Sequence, residues 1–307
     1  MIVLNPRAWC ALVSGAALAV GLGVAVQARA AEPAAHTAPA AFASDRLSVQ
    51  VVGSGPDVIL IPGMASSREV WTAQAERLKA THRVHLVQLA GFVGEPWSHG
   101  DGAFVQPVVD ELARYVREQK LSQPAVIGHS MGALIGLRLA QDHPGLVGKL
   151  MSVDSLPFFS ALYGPTATVE TATPIAANMA QTLIAMPGDA FAASQAQTGA
   201  GMARDPAMQE AIVRWSLASD RHAIAAAMRD VMTTDARPGL ATMTTPVTAL
   251  YAADADGGAP AAMAEALWGR EYATLPGVKL IRVDDSRHFI MADQPERFGE
   301  LVDAFLE

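Results

Sequence analysis

The chain has 307 residues, is 51% hydrophobic and 17% charged, and carries 22 basic against 30 acidic residues, a formal charge of −8. An acidic chain argues against nucleic acid or an anionic lipid surface as partner, since both call for a basic face. Its one cysteine, Cys10, lies in the first thirty residues, so the rest of the chain has no disulfide, thiolate nucleophile or thiolate metal site.

Residues 1–30 read as a secretory signal peptide. Arg7 supplies the positive start, residues 8–26 are almost wholly apolar, and Ala28-Arg29-Ala30 predicts cleavage before Ala31. The alternative is an uncleaved anchor, because the apolar run is long enough for a marginal span. Cleavage predicts a periplasmic or extracellular protein with no membrane attachment. Losing Arg7 and Arg29 turns 22 basic residues into 20, against 30 acidic, a charge of −10. Residues 31–45, rich in Ala and Pro, read as a disordered tether. Residues 46–307 suit one α/β domain.

Within that body, Leu47 to Val52 and Val58 to Ile61 flank the turn signal Gly53-Ser54-Gly55-Pro56 and are expected to form a hairpin. Ser66 and Glu69 suggest a capping box for a helix reaching about Ala80. Val84 to Leu89 is the next strand, followed by a helix over 103–120. Ala125 to Ile127 is a short strand, and Met131 to His143 a largely buried helix ended by Pro144-Gly145. Lys149 to Val153 is again a strand. Residues 157–243 break the alternation with helix-like stretches near 168–185, 187–197, 204–217 and 219–234. Val247 to Tyr251 and Val278 to Val283 are strands around a helix over Ala259 to Ala273. Asp293 is the expected N-cap of the last helix, with Glu296 as its partner. Strands alternating with helices predict a mostly parallel sheet.

Between the strand at 125–127 and its helix stands Gly128-His129-Ser130-Met131-Gly132. A nucleophile at the tip of a sharp strand-to-helix turn needs glycines two residues to either side, where side chains would collide. The following helix N-terminus adds positive potential where an oxyanion would form. Ser130 is therefore the candidate nucleophile of an acyl-transfer enzyme.

On these residues the chain resembles the α/β-hydrolase-fold superfamily, from about residue 46 to the C-terminus. The resemblance implies that 157–243 is a helical cap over the nucleophile. It implies the chain order serine, acid, histidine. Only His222 and His288 follow Ser130; His222 falls in the cap, and His288, just past the last strand, is where the family places its base. The acid is expected after the strand Val247 to Tyr251, in Ala252-Ala253-Asp254-Ala255-Asp256. Asp254, closest to the strand end, is preferred; Asp256 is second, and Asp154, at the end of an earlier strand, third. Pro62-Gly63-Met64-Ala65 resembles the family's His-Gly-x loop with proline for histidine, which implies backbone donors at Met64 and Met131 for the oxyanion.

His129 is expected to be structural. Gly91-Phe92-Val93-Gly94 is read as a loop bordering the pocket, with Trp97, Phe158, Phe159 and Met291 as candidate lining. His82, His85 and His99 show no metal-ligand spacing, and no phosphate or dinucleotide fingerprint occurs. The expected function is hydrolysis of a small carboxylic ester through an acyl-enzyme, without metal or organic cofactor. Its rivals are acyl transfer to another acceptor on the same residues, and a non-catalytic binding protein on the same scaffold. Substrate identity and oligomeric state are not readable from the sequence.

Overall fold

Seven strands form one sheet in the order β1-β3-β2-β4-β5-β6-β7 in the computed structural model, which describes residues 42–257 and 259–307. In chain order they are β1 (Leu47–Gly53), β2 (Asp57–Ile61), β3 (Arg83–Leu89), β4 (Ala125–His129), β5 (Lys149–Val153), β6 (Val247–Ala253) and β7 (Lys279–Asp284). Every pairing is parallel except β1 with β3. The signal-peptide reading and most of the tether lie outside the described residues. The tether's last part belongs to the domain: the Phe42 ring packs edge-on against Tyr115 at 5.0 Å.

The expected β1–β2 hairpin does not form. β1 pairs along its whole length with β3, Leu47 opposite Leu89 and Gly53 opposite Arg83. β2 instead lies between β3 and β4. Its four residues Val58 to Ile61 are all fully buried. A strand buried on both faces belongs in the middle of the sheet, whereas β1, half exposed, suits an edge.

Two cores sit on the two faces of this sheet. Ile59, Ile61 and Val126 face one; Val58, Leu60 and Ile127 face the other, as the period of two along a strand requires. Helices α1 (Thr72–Leu78), α2 (Val105–Glu118), α3 (Met131–Asp142), α9 (Ala261–Glu271), α10 (Ile290–Asp293) and α11 (Pro295–Leu306) connect or follow the strands. Between β5 and β6 the chain forms α4 (Val169–Ala185), α5 (Gly188–Met202), α6 (Pro206–Leu217), α7 (Arg221–Thr233) and α8 (Arg237–Leu240). Asp293 does not cap α11, whose N-cap is Gln294. Its carboxylate is engaged elsewhere: Oδ1 accepts from the Arg204 and Asp205 N–H groups and Oδ2 from that of Arg287. Among the described residues no helix is long and apolar enough to cross a membrane.

The β4–α3 turn is where the sheet positions the site. A Cβ on Gly128 would stand 2.4 Å from the Gly132 carbonyl oxygen, and one on Gly132 2.4 Å from that of Ile61 and 2.6 Å from that of Pro62. These obstacles are backbone and cannot swing away. Gly132→Ala is therefore expected to cost at least about 2 kcal/mol of stability, the upper part of the range for overpacking. Urea unfolding of the variant measures it; a loss below about 0.5 kcal/mol, the scale of a neutral surface change, would contradict this packing.

Candidate active site

Ser130 has φ 54° and ψ −124°, a left-handed conformation at a non-glycine residue. Such backbone costs of order 1–3 kcal/mol and persists only where the surroundings hold it. Here the Ser130 N–H donates to the Val153 carbonyl at 2.9 Å, and its own carbonyl accepts from the Ala133 and Leu134 N–H groups. The turn is thus pinned to β5 on one side and α3 on the other.

β5 delivers the next group. Asp154 follows its last residue, also at positive φ (48°). Its Oδ1 accepts from the Ala252 N–H of β6 at 2.9 Å, and its Oδ2 accepts from His288 Nδ1 at 2.7 Å. This corrects the sequence expectation, in which Asp254 held that place. Asp254 is 4% exposed but turned away: Arg204 donates to its Oδ1 at 2.8 Å and Arg287 to its Oδ2 at 2.9 Å. Burial alone would raise the Asp254 carboxyl. The hydrogen bond from Arg287, the charge of Arg204 and the N–H groups of Gly257 and Asp256 outweigh it and hold the group below the usual carboxylate range. Asp256 is exposed and serves the turn, its N–H donating to Asp254 Oδ1 at 3.1 Å. Neighbouring residues of one loop therefore serve two carboxylates, Arg287 on Asp254 and His288 on Asp154.

His129 does more than fill the turn. It is 1% exposed; its ring lies 4.5 Å from that of His288, and its Nε2–H donates to the His288 carbonyl at 3.0 Å. The Ser130 turn and the His288 loop are so joined directly. Burial, and then the neighbouring His288, push His129 well below the usual histidine range, against the pull of its carbonyl acceptor. It stays neutral when folded, whereas in the unfolded chain it takes a proton as pH falls through about 6.5. Its contribution to stability is therefore complete above that pH and lost below it. His85, also lowered chiefly by burial, adds in the same direction. His129→Gln, which keeps a donor but cannot charge, is expected to lessen the fall in unfolding free energy between about pH 7 and 5. An unchanged slope would show that His129 is not held neutral.

The loop after β2 closes over this turn. A Cβ on Gly63 would stand 3.1 Å from His129 Nδ1 and 3.2 Å from Ser130 Cβ, so the chain at Pro62–Met64 lies against the serine. Among the described residues neither the Met64 nor the Met131 N–H has a protein acceptor. Ser130, Met131, Asp154 and His288 line one cavity of about 130 Å³, together with Phe159, Leu162 and Val231 from the insertion between β5 and β6.

Of the candidate lining residues, Phe159 is there. Phe158 is fully buried under the Arg237 guanidinium, Met291 is in the core, and Trp97 stacks on Phe104 at 5.2 Å. Residues 91–94 instead hold the insertion: the Gly94 N–H donates to the Ala218 carbonyl and the Asp220 N–H to that of Gly91. His222 is exposed and paired with Asp101. Among the described residues no group of His, Asp and Glu is arranged to hold a metal ion.

A serine on a strained strand-to-helix turn and a histidine held by a carboxylate thus share one cavity wall in an α/β fold. The chain belongs to the alpha/beta hydrolase family, whose pattern it matches over residues 58–301. It is 31% identical over 122 residues to a pimeloyl-[acyl-carrier protein] methyl ester esterase of Vibrio atlanticus, covering 40% of this chain and 45% of that protein. The chain thus spans under half the length of that relative. An esterase of the same description from Aliivibrio fischeri is 28% identical over 202 residues, 66% of this chain and 76% of that protein. Among solved structures, a thermophilic esterase from Thermogutta terrifontis superposes with a TM-score of 0.70 at 21% identity, covering 85% of this chain and 92% of that one. An enol-lactonase from Burkholderia xenovorans gives 0.68 at 18% identity, covering 85% and 96%. At these identities the likeness is one of fold.

Proposed function

We propose that this protein is a carboxylic-ester hydrolase that works through Ser130, His288 and Asp154. The observation that carries this reading is the 2.7 Å hydrogen bond from His288 Nδ1 to Asp154, beside a cavity whose wall holds both Ser130 and His288. Asp154 leaves only Nε2 of His288 free. That nitrogen takes the Ser130 proton as Oγ attacks the carbonyl carbon. The Met131 and Met64 N–H groups receive the negative oxygen. The carbon–oxygen bond to the alcohol then breaks, and His288 returns the proton to the departing oxygen. Water, deprotonated by His288, splits the acyl-Ser130 ester and restores the enzyme. The esterase descriptions of the Vibrio and Aliivibrio relatives support the bond type.

The test is labelling of the purified protein by a fluorophosphonate, with ester hydrolysis followed alongside. A protein that takes no label and turns over no ester would be a binding protein on this scaffold. Product analysis with competing alcohols separates hydrolysis from acyl transfer. Export belongs to the same reading, supported by the signal-peptide pattern of residues 1–30. The protein recovered from the periplasm or medium of a bacterial host is expected to begin at or near Ala31. Recovery of the full-length chain in the membrane would favour the anchor instead.

A further inference from the structure

Two unequal cavities meet at His288. The smaller, about 130 Å³, has Ser130, Met131 and Leu134 in its wall; these are the nucleophile and the first turn of α3. The larger, about 580 Å³, has none of the three. Its wall is made by the end of β6, by α9 and by the loop carrying His288. Asp154, Leu162, Trp268 and His288 line both.

The chemistry of ester cleavage sorts these spaces. The carbonyl oxygen must turn toward the amide donors at Met131 and Met64. The alcohol oxygen must lie against the free Nε2 of His288, which gives it a proton. His288 is in both walls, and only that of the larger cavity leaves out the nucleophile and its helix, so that cavity is the direction assigned to the alcohol. The acyl chain takes the remaining direction, toward Leu134 and Phe159. We infer that the larger cavity receives the alcohol portion and the smaller the acyl chain, so that the substrate class is esters of a short acid with a bulky apolar alcohol. This assignment rests on the hydrolase reading above.

Size supports it. The smaller cavity has less than a quarter of the volume of the larger, so it takes the shorter part of the ester. The larger falls in the range of about 300–1,000 Å³ that takes a drug-sized molecule. Its chemistry supports an apolar group. Ala252, Ala264, Leu267 and Met263 line it, and its charged residues are already paired: Arg287 with Asp254 at 2.9 Å, Arg270 with Glu271 at 2.7 Å. With each arginine already beside a carboxylate, an uncharged alcohol portion suits the cavity better than an anionic one. Met263 and Leu162 are 66% and 51% exposed, so the larger cavity opens to solvent and the alcohol has an exit. A methyl ester, the bond in the descriptions of the Vibrio and Aliivibrio relatives, would leave this space unfilled.

The experiment is a set of six esters: acetate, butyrate and octanoate, each of ethanol and of 2-cyclohexylethanol. Both alcohols are primary and alike in basicity, so differences report fit rather than leaving-group strength. With each acid, kcat/KM is expected to be at least about tenfold higher for the cyclohexylethyl ester, and with each alcohol at least about tenfold lower for octanoate than for butyrate. Two variants, each read as a ratio within one preparation so that lost folding cancels, sharpen it. Phe159→Ala should raise octanoate relative to acetate, and Met263→Trp should lower cyclohexylethyl acetate relative to ethyl acetate. Turnover that favours octanoate and ignores alcohol size would overturn the assignment while leaving the hydrolase reading intact. No turnover of any ester, with no fluorophosphonate labelling, would remove the hydrolase reading and this assignment with it.

Discussion

Ser130→Ala is expected to abolish fluorophosphonate labelling and to lower ester turnover by at least about a thousand-fold, the scale on which removal of a triad member acts. The reason is local. In the proposed mechanism Oγ is the atom that bonds to carbon, and nothing else on the β4–α3 turn replaces it. The backbone should be undisturbed, because the turn is held by main-chain hydrogen bonds that alanine also makes, the residue-130 N–H donating to Val153 and its carbonyl accepting from Ala133 and Leu134. An alanine side chain is no worse than serine at positive φ. Unchanged melting with lost turnover is therefore the expected pair of results. Labelling that persists in the variant would place the nucleophile elsewhere and sink the mechanism.

Asp154→Asn is the second large effect, an expected loss of at least about a hundred-fold in turnover. The carboxylate accepts from His288 Nδ1–H at 2.7 Å, and in the proposed mechanism it stabilises the imidazolium formed during attack. Asparagine keeps the size and loses the charge, and its amide can favour the wrong tautomer. The informative contrast is Asp254→Asn. Asp254 bridges Arg204, in the chain between α5 and α6, to Arg287, next to His288. Its loss weakens two charge-assisted bonds at a buried site, which costs on the order of 2 kcal/mol. For a chain of this size that is a fall of about 4–8 °C in Tm, with turnover at a temperature well below Tm expected within about tenfold of wild type. If Asp254→Asn instead loses turnover at unchanged Tm while Asp154→Asn stays active, the carboxylates exchange roles.

The insertion at 157–243 is expected to bear on choice of substrate. Phe159, Leu162 and Val231 reach the cavity beside Ser130, so their truncation is expected to change the ranking of esters more than the chemical step. Met179, on α4, is exposed.

What the sequence determined by itself was local or set by chain order. The strand–turn–helix at 125–143 needs only short-range information: an apolar run, glycines at 128 and 132, and a buried helical face. The same holds for β5 and for the helices between β5 and β6, whose helix-like stretches stand out along the chain; in the structure Asp205 and Asp220 cap two of them. His288 was singled out by the family resemblance, from its place after the last strand. Strand pairing, by contrast, was decided by tertiary structure. Gly53-Ser54-Gly55-Pro56 is a turn in either arrangement, and only burial of β2 on both faces sends β1 to the edge beside β3. The carboxylate was decided the same way. Asp154 and Asp254 each follow a buried parallel strand, and no pattern along the chain separates them. What separates them is lateral: β5 lies next to β4 and its nucleophile turn, so Asp154 faces His288, whereas Asp254, one strand further out, is met by two arginines from segments 50 and 33 residues away. A buried carboxylate takes the cations and donors the fold brings to it, and these come from other strands and loops, which linear order does not encode.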